Sequence, residues 1–410
     1  MTTSASDAAA PPLAERMGSG LIVTLLALLL GVQPITTDLY LPSLPGLAAD
    51  LHAPLAAVQA TLSALLFAFG GSQLLLGPAA DRFGRRPVLL GGLALYVVCS
   101  IGGALAPDIA TLVAWRALQG IGVGAAVVCA RAMVRDLYQP AQGAHVMSQA
   151  LSGLGIIALG SPLLGGLIAS WWGWRAALLG CGLFGAATLA LVVLRLPETA
   201  PTLNPRAMQL APMVRTWLQI ARHPGFRAWA LLVAATYGGL FAFLAGSAFV
   251  LIDVLGVSRV ACGLFIACNS LSYLAGTIGC RRLLLRHGLA GAVRRGAVFT
   301  LAGGAVMVAL ALAGVRSPWA IVLPQMLFAF GHGIHQPCGQ VAVVAPFPQQ
   351  AGAASALAGF ILAAVAVVVG AWLGATMDGT VMPLVLTIGT LALATSVVAW
   401  TLVQRHGDAR

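Results

Sequence analysis

The sequence predicts a polytopic α-helical membrane protein with twelve transmembrane helices in two halves of six. Of its 410 residues, 60% are hydrophobic and 8% are charged, and the mean hydropathy is +0.95. Soluble domains carry about 25% charged residues, so this composition excludes a soluble globular or a disordered chain. Twelve spans of about 20 apolar residues each fit within the chain and leave room for loops and tails. The distribution of arginine follows the same twelve-helix map.

Apolar runs separated by Arg, Pro and Asp define the predicted helices. They lie at 20–42, 56–79, 87–106, 109–133, 145–169, 174–195, 228–252, 260–284, 293–314, 318–340, 351–375 and 382–404. We expect five regions: a flexible cytoplasmic tail at 1–19, a first half at 20–195, a cytoplasmic central loop at 196–227, a second half at 228–404, and a cytoplasmic tail at 405–410.

The arginines indicate the orientation. The chain has no lysine, and eighteen of its 22 arginines fall on one side of the predicted map. Cytoplasmic loops of membrane proteins are enriched in Lys and Arg, so both termini are predicted to be cytoplasmic. The net charge of +11 then reflects topology and contact with lipid headgroups. Nucleic acid is not an expected partner, because no basic run is interleaved with aromatic residues.

Several other kinds of site are not expected. The seven cysteines are scattered through apolar segments without a Cys-x-x-Cys pair, which is typical of packing residues. His332 and His335 share a helix face but lack a third ligand, so no metal site is predicted. A polar cavity lining, a pH-sensitive contact and simple packing remain open for this pair. No nucleophile–base pair and no phosphate-binding loop is present, so we expect neither an enzyme nor a cofactor.

The two halves look like a duplicated unit, because segment 77–86 has a degenerate counterpart at 276–288. Repeated halves with substrate bound between them are typical of secondary transporters. Segment 77–86 is predicted to end the second helix at Gly77-Pro78 and to place four charges around a glycine turn. Its residues are Gly77, Pro78, Asp81, Arg82, Gly84, Arg85 and Arg86.

This segment resembles the G-x-x-x-D-R-x-G-R-R/K signature of the major facilitator superfamily. The resemblance implies a charge network that breaks and re-forms as the transporter alternates between its open faces. Asp81 would be the switch carboxylate, with Arg85 and Arg86 near it. Arg135 or Asp136, after the fourth helix, would be its partner. The alternative is a cluster of arginines that only sets topology.

Two charges fall inside predicted helices. Arg116 lies in the fourth helix, where an intramembrane charge costs at least about 2.5–3.5 kcal/mol and therefore needs a cavity or partners. Asp38 is the only carboxylate of the first helix. Both are predicted to lie about 9–10 Å from the outer helix ends, which makes them candidates for a proton-sensitive pair. Alternatively, Arg116 reaches the outer headgroups and Asp38 caps its helix or faces water.

Several motifs together resemble the Bcr/CflA drug-resistance family of the major facilitator superfamily. They are segments 38–45, 247–258 and 351–359 and residue Asn269, and Arg116 with Gln119 matches the R-x-x-Q-G-x-G motif of proton-coupled drug exporters. The likeness covers about residues 20–404. It implies a multi-pass inner-membrane exporter, acting as a monomer, that exchanges protons for drugs such as bicyclomycin or chloramphenicol-like compounds.

Two positions depart from the family pattern. Ser161 replaces the first glycine of the helix 5 motif G-P-x-x-G-G, which otherwise retains Pro162, Gly165 and Gly166. Some multidrug relatives carry a second acidic residue before the helix 1 aspartate, whereas this chain has Leu30 and Pro34 there. Neutral or zwitterionic substrates are therefore favoured.

The predicted mechanism is alternating access around a cavity between helices 1, 4, 7 and 10. Protonation of Asp38 from outside would compete with substrate, and Arg116 would couple the two events. Apolar drugs favour aromatic walls with a few polar anchors. The expected lining residues are Tyr40, Gln119, Tyr237, Phe241, Phe243, Asn269 and His335. A proton-coupled importer and a passive facilitator on the same fold remain open.

Overall fold

Helices form all the regular secondary structure of the described residues. The computed structural model describes residues 17–138, 140–347 and 350–406, in which ten helices are long and apolar enough to cross a membrane. One of them, Arg259–Leu312, has 54 residues and breaks at Gly288, whose φ of 64° and ψ of −174° are not helical. Trp319–Val344 is also long enough to cross, although its Gln and His side chains lower its hydropathy. The predicted set of twelve membrane helices is confirmed.

The membrane helices are labelled in chain order. They are α1 (Ser19–Asp38), α2 (Leu55–Phe83), α3 (Arg85–Ala104), α4 (Ile109–Leu137), α5 (Pro140–Trp171), α6 (Gly173–Arg195), α7 (Pro224–Ala248), α8 (259–287), α9 (289–312), α10 (Trp319–Val344), α11 (Ala351–Thr376) and α12 (Met382–Trp400). A π-helical turn, Phe249–Val254, extends α7, and a short helix, Leu402–His406, follows α12.

The first span is longer than predicted. After Asp38 the chain continues through a 3₁₀ turn, Leu41–Ser43, and a short helix, Leu44–Asp50. Prolines occupy the first turns of both elements, where a missing N–H breaks no helical hydrogen bond. The span therefore continues for twelve residues beyond Asp38, further than its predicted end at residue 42. At 1.5 Å per residue, twelve helical residues correspond to about 18 Å.

The second helix also extends past its predicted end. Gly77-Pro78 does not terminate α2, which keeps Pro78 inside it and runs to Phe83. A proline inside a helix removes one internal hydrogen bond. The helix ends instead at Gly84, whose φ of 101° strongly favours glycine.

The predicted central loop is partly helical. A 13-residue helix, Leu210–Arg222, lies within it and packs against α7 and α11. We refer to it as the linker helix. The seventh membrane helix begins directly after it, at Pro224.

The apolar core joins the two halves at one end of the molecule. One cluster there contains buried side chains of both halves, such as Tyr40 and Leu62 with Phe243 and Val250. Towards the other end the core divides into two clusters, each drawn from a single half. The described structure is thus sealed on the side of Asp50 and divided on the arginine-rich side.

Candidate functional site

Asp38 lies at the interface between the two halves. Its side chain is buried, and the Thr37 hydroxyl donates a hydrogen bond of 2.7 Å to Oδ1. Tyr237 of α7, in the opposite half, is half-buried and lies within electrostatic range of the carboxylate. Among the described residues, none forms an ion pair with Asp38. A carboxyl group in this position can exchange a proton without breaking an ion pair.

Arg116 is buried inside the first half and does not contact Asp38. Its Nη1 donates to Gln119 Oε1 at 2.6 Å, and its Nη2 donates to the Thr36 carbonyl at 3.1 Å. The guanidinium carbon lies 4.4 Å from the Tyr40 ring centroid, within range of a cation–π interaction. Each residue turns an α-helix by about 100°, so Asp38 points to a different side from Thr36 and Tyr40. With 1% exposure, Arg116 does not reach the headgroups.

The residues around Arg116 connect four helices of the first half. The Gln119 side-chain amide donates to Ser100 Oγ on α3 at 2.7 Å. The hydroxyls of Tyr40 and Thr61 lie 3.1 Å apart and link the end of the first span to α2. Tyr40 and Gln119, both expected in the cavity wall, are therefore components of this internal network.

The other predicted cavity residues are mostly buried within the second half. Phe241 and Phe243 belong to the apolar cluster that joins the halves. Asn269 of α8 is 3% exposed, and its Oδ1 has no hydrogen-bond partner among the described residues. His335 is fully buried, with Nε2 3.2 Å from the Val293 carbonyl on α9. Of the predicted lining, Tyr237 alone retains appreciable exposure.

Helix α10 carries a buried polar stripe. His332 Nδ1 lies 3.1 Å from the Thr236 hydroxyl on α7, and its ring lies 5.5 Å from that of Tyr273 on α8. Gln325, two turns earlier on the same face, is fully buried, and neither of its amide atoms is hydrogen-bonded within the part of the chain that the structure describes. Gln325 lies seven residues before His332, and this spacing is the sequence signal that places it in the same stripe. Because His335 faces α9 instead, the two histidines have separate partners, and the described residues contain no cluster of three metal ligands.

The predicted charge network forms at the arginine-rich end of the first half. Arg85 Nε lies 2.9 Å from Asp136 Oδ2, and both side chains are 6% exposed. The same guanidinium also pairs with Asp81. Arg135 is exposed and lies at 3.9–4.0 Å from the two carboxylates. The structure thus brings together Asp81, Arg85, Arg135 and Asp136, joining the turn after α2 to the end of α4.

The other two arginines of segment 77–86 bind elsewhere. Arg82 stacks over the neighbouring Phe83 ring, with its guanidinium carbon 5.2 Å from the centroid. Arg86 Nε donates to the Leu196 carbonyl at 2.7 Å, which ties α3 to the end of α6. Neither residue forms an ion pair with Asp81 in the described structure.

Glu198 is a functional candidate that the motif analysis missed. Its carboxylate accepts the backbone N–H groups of Arg85 at 2.9 Å and Arg86 at 3.1 Å, at the start of α3. A Cβ on Gly84 would lie 2.5 Å from Glu198 Oε2, so this contact also requires glycine at the turn. The available sequence signal is that Glu198 is the single acidic residue in 196–227.

Glu198 is expected to stabilise the first half in a pH-dependent way. Partial burial raises its pKa, but backbone N–H groups of Ala200, Arg85, Arg86 and Thr199 outweigh this effect and hold the pKa below its ordinary value of 4.5. The contribution is therefore complete above the ordinary pKa and is lost as the pH falls through the folded-state value. We expect Glu198→Gln to lower stability at about pH 7 by about 0.3–1 kcal/mol, because the group is largely exposed.

Thermal unfolding of Glu198→Gln and wild type in detergent, measured from neutral pH to below the ordinary carboxyl pKa, tests this expectation. The two melting temperatures should converge in acid. A constant difference across the pH range would contradict the assigned role.

The small residues of α5 bring helices of both halves into close contact. A Cβ on Gly165 would lie 2.3 Å from the Leu39 carbonyl of the first span. A Cβ on Gly166 would lie 2.7 Å from the Arg259 carbonyl of α8, in the other half. Glycine at both positions permits backbone approaches that any larger residue would block.

The serine substitution in this motif is accommodated. Ser161 Oγ donates to the Ile157 carbonyl of its own helix. At the next residue, the Pro162 carbonyl would lie 2.3 Å from a Cβ on Gly263 of α8. The packing role expected for Pro162, Gly165 and Gly166 is therefore compatible with a serine at position 161.

Gly166→Val should prevent the halves from sealing at the Asp50 end, because its side chain would overlap the backbone of α8. Gly160→Val is a matched control in the same helix, since a Cβ there meets nothing within 4 Å. We expect transport to be lost in the first variant and retained in the second. A cysteine introduced near the seal, such as Leu62→Cys, should also become accessible to a membrane-impermeant maleimide. Equal transport by both valine variants would contradict this account.

Comparison with known proteins identifies the family. The model of the Major Facilitator Superfamily matches residues 26–371. Multidrug resistance protein D of Escherichia coli (strain K12) is 32% identical over 343 residues, covering 82% of this chain and 84% of that protein. The bicyclomycin resistance protein homolog of Haemophilus influenzae is 25% identical over 396 residues, covering 97% and 99% of the two chains.

Solved structures share the fold. A D-xylose-proton symporter superposes with a TM-score of 0.73 at 18% identity, covering 96% of this chain and 100% of the other. With the family model matching most of the chain, the described helices form a multi-pass inner-membrane transporter rather than an enzyme. The chain belongs to the Major Facilitator Superfamily, among relatives that include drug-resistance transporters.

Proposed function

We propose that this transporter exports small drug-like molecules in exchange for protons, with both termini in the cytoplasm. The names of its relatives, a multidrug resistance protein and a bicyclomycin resistance protein homolog, support drug efflux. The concentration of arginine at the divided end supports a cytoplasmic location for that end. The conformation is then closed to the outside.

The observation that carries proton coupling is the position of Asp38. Its carboxyl group is buried and has no ion-pair partner among the described residues, so its charge changes only when it binds or releases a proton. It lies between the halves and faces Tyr237 of the other half. Protonation of Asp38 can therefore alter the interaction of the two halves, and the proton can compete with a substrate for this site.

Arg116 would act on Asp38 through the backbone of α1. Its guanidinium is bonded to the Thr36 carbonyl, two residues before Asp38. A positive charge held at this point fixes the orientation of the helix segment that presents the carboxylate. We assign Arg116 the role of a positioning residue, whose effect on coupling passes through α1 and not through an ion pair.

The network around Arg85 would control the cytoplasmic end. Asp136 is buried and closely paired, whereas Asp81 is 44% exposed and contacts Arg85 from the turn side. Asp81 is thus the member that can exchange partners as the halves move, while Arg85 and Asp136 remain joined. Alternating access then combines an outer seal along α5 and α8 with this inner charge network.

Proton release driven by substrate tests the proposal. The protein is reconstituted as a monomer into liposomes containing a pH-sensitive dye, with an acid-inside gradient. Bicyclomycin, chloramphenicol and a cationic dye are added in turn. If the protein is a proton antiporter, at least one compound should dissipate the pH gradient. No compound should do so in protein-free liposomes.

The same assay separates the alternative functions. If labelled compound moves without protons, the protein is a facilitator. Substrate and proton moving in the same direction indicates a symporter. The structural likeness to a sugar–proton symporter, at 18% identity, shows the fold alone and does not favour import.

A further inference from the structure

We propose that the linker helix, Leu210–Arg222, lies in the membrane interface and binds anionic phospholipid headgroups. Its three faces have different chemical character, and each fits one of the three environments at a membrane surface: protein, acyl chains and charged headgroups.

One face of the linker helix packs on the transporter. Met213, Thr216, Trp217 and Ile220 recur at spacings of three and four, which places them on one side of a helix. All four are at least half-buried, and Ile220 is completely buried in the apolar cluster at this end of the second half. The face they form is directed towards α7 and α11.

The next face is apolar and exposed. Leu210, Val214 and Leu218 recur every four residues and are 67%, 45% and 53% exposed. They form a continuous stripe beside the protein-facing side. The linker helix ends only two residues before the membrane helix α7 begins at Pro224, which places it close to the membrane surface. The acyl chains of the bilayer are the apolar medium available to the stripe at that position.

The third face is basic. Arg215 and Arg222 are seven residues apart, lie next to the apolar stripe and are exposed. The helix contains no acidic residue, and neither arginine forms an ion pair within the described part of the chain. Glu198, the single acid of 196–227, is bound to the start of α3. Lipid phosphates complement these two cations, since guanidinium groups bind phosphate through paired hydrogen bonds.

The test uses the full-length protein in liposomes, with single cysteines in a background whose seven native cysteines are replaced and whose melting temperature matches wild type. An NBD fluorophore is attached at Leu218→Cys on the apolar stripe or at Gln219→Cys, the matched neighbour on a polar side. Lipid-borne doxyl groups quench from the membrane, and iodide quenches from water. We expect doxyl lipids to quench the label at 218 severalfold more than that at 219, with iodide showing the reverse order.

The role of charge is tested with the double variant Arg215→Glu/Arg222→Glu. Each arginine near an anionic surface contributes about fivefold to binding, so reversal should expose the label at 218 to iodide in liposomes containing phosphatidylglycerol. Purely zwitterionic liposomes control for misfolding, because the double variant and its parent should behave alike there.

Three results would overturn the proposal. Equal iodide quenching at 218 and 219 places the linker helix in water. Protection of 218 from both quenchers means that protein covers the stripe, either a second copy or another segment of this chain. Charge reversal without effect in anionic liposomes removes the headgroup contact.

Discussion

Asp38→Asn is expected to abolish substrate-driven proton movement while leaving the protein folded. Asparagine has nearly the shape of the carboxylate and can still accept the hydrogen bond from Thr37, but it cannot carry a proton across the membrane. The dye signal in the liposome assay should fall to that of protein-free liposomes. Downhill exchange of labelled substrate should persist, because this step requires movement of the halves and not proton transfer.

The matched control for this variant is Asp253→Asn. Asp253 lies in the π-helical turn after α7 and is exposed, so it shares the residue type but not the buried position between the halves. It should keep wild-type coupling. If Asp38→Asn couples protons as well as wild type does, the coupling site lies elsewhere; if exchange is lost as well, the residue has a structural role.

Separating Arg85 from Asp136 is expected to produce the largest loss of stability. Both side chains are 6% exposed and joined at 2.9 Å, so replacing one of them leaves the other as a buried, partly uncompensated charge. Removing one partner of a buried pair costs about 3–5 kcal/mol. Arg85→Gln and Asp136→Asn should each lower the melting temperature strongly.

A double-mutant cycle isolates the interaction. The double variant should lose clearly less than the sum of the single variants, because no uncompensated charge remains at Asp136. Arg135→Gln is the control, since this exposed arginine lies 3.9–4.0 Å from the carboxylates and should contribute about 0–1 kcal/mol. If the loss of stability in the double variant equals the sum of the losses in Arg85→Gln and Asp136→Asn, the pair does not hold the turn to α4.

The charge network was expected from the resemblance of segment 77–86 to the family signature. The spacing of four between Asp81 and Arg85 is local, but Asp136 lies 51 residues beyond Arg85, and its place in the network was expected only from the resemblance. The helix count was predictable from the sequence itself, since each apolar run approximates the thickness of a bilayer.

Facing directions and distant contacts were not predictable from the sequence. The position of Asp38 relative to Arg116 depends on helix rotation, which twelve nearly uniform apolar helices do not encode in an obvious periodicity. The contact of Glu198 with α3 spans more than a hundred residues. The linker helix has a clear pattern of apolar spacing, but Pro212 in its first turn gives it the appearance of a loop.

The polar stripe of α10 has a consequence for assembly of the protein in the membrane. Three glutamines and two histidines in one span make its insertion less favourable than that of a uniformly apolar helix. The groups that meet its histidines, Thr236, Tyr273 and the Val293 carbonyl, lie on α7, α8 and α9. All three helices precede α10 in the chain. During synthesis its partners therefore enter the bilayer first, so that this polar helix arrives at a binding surface that already exists.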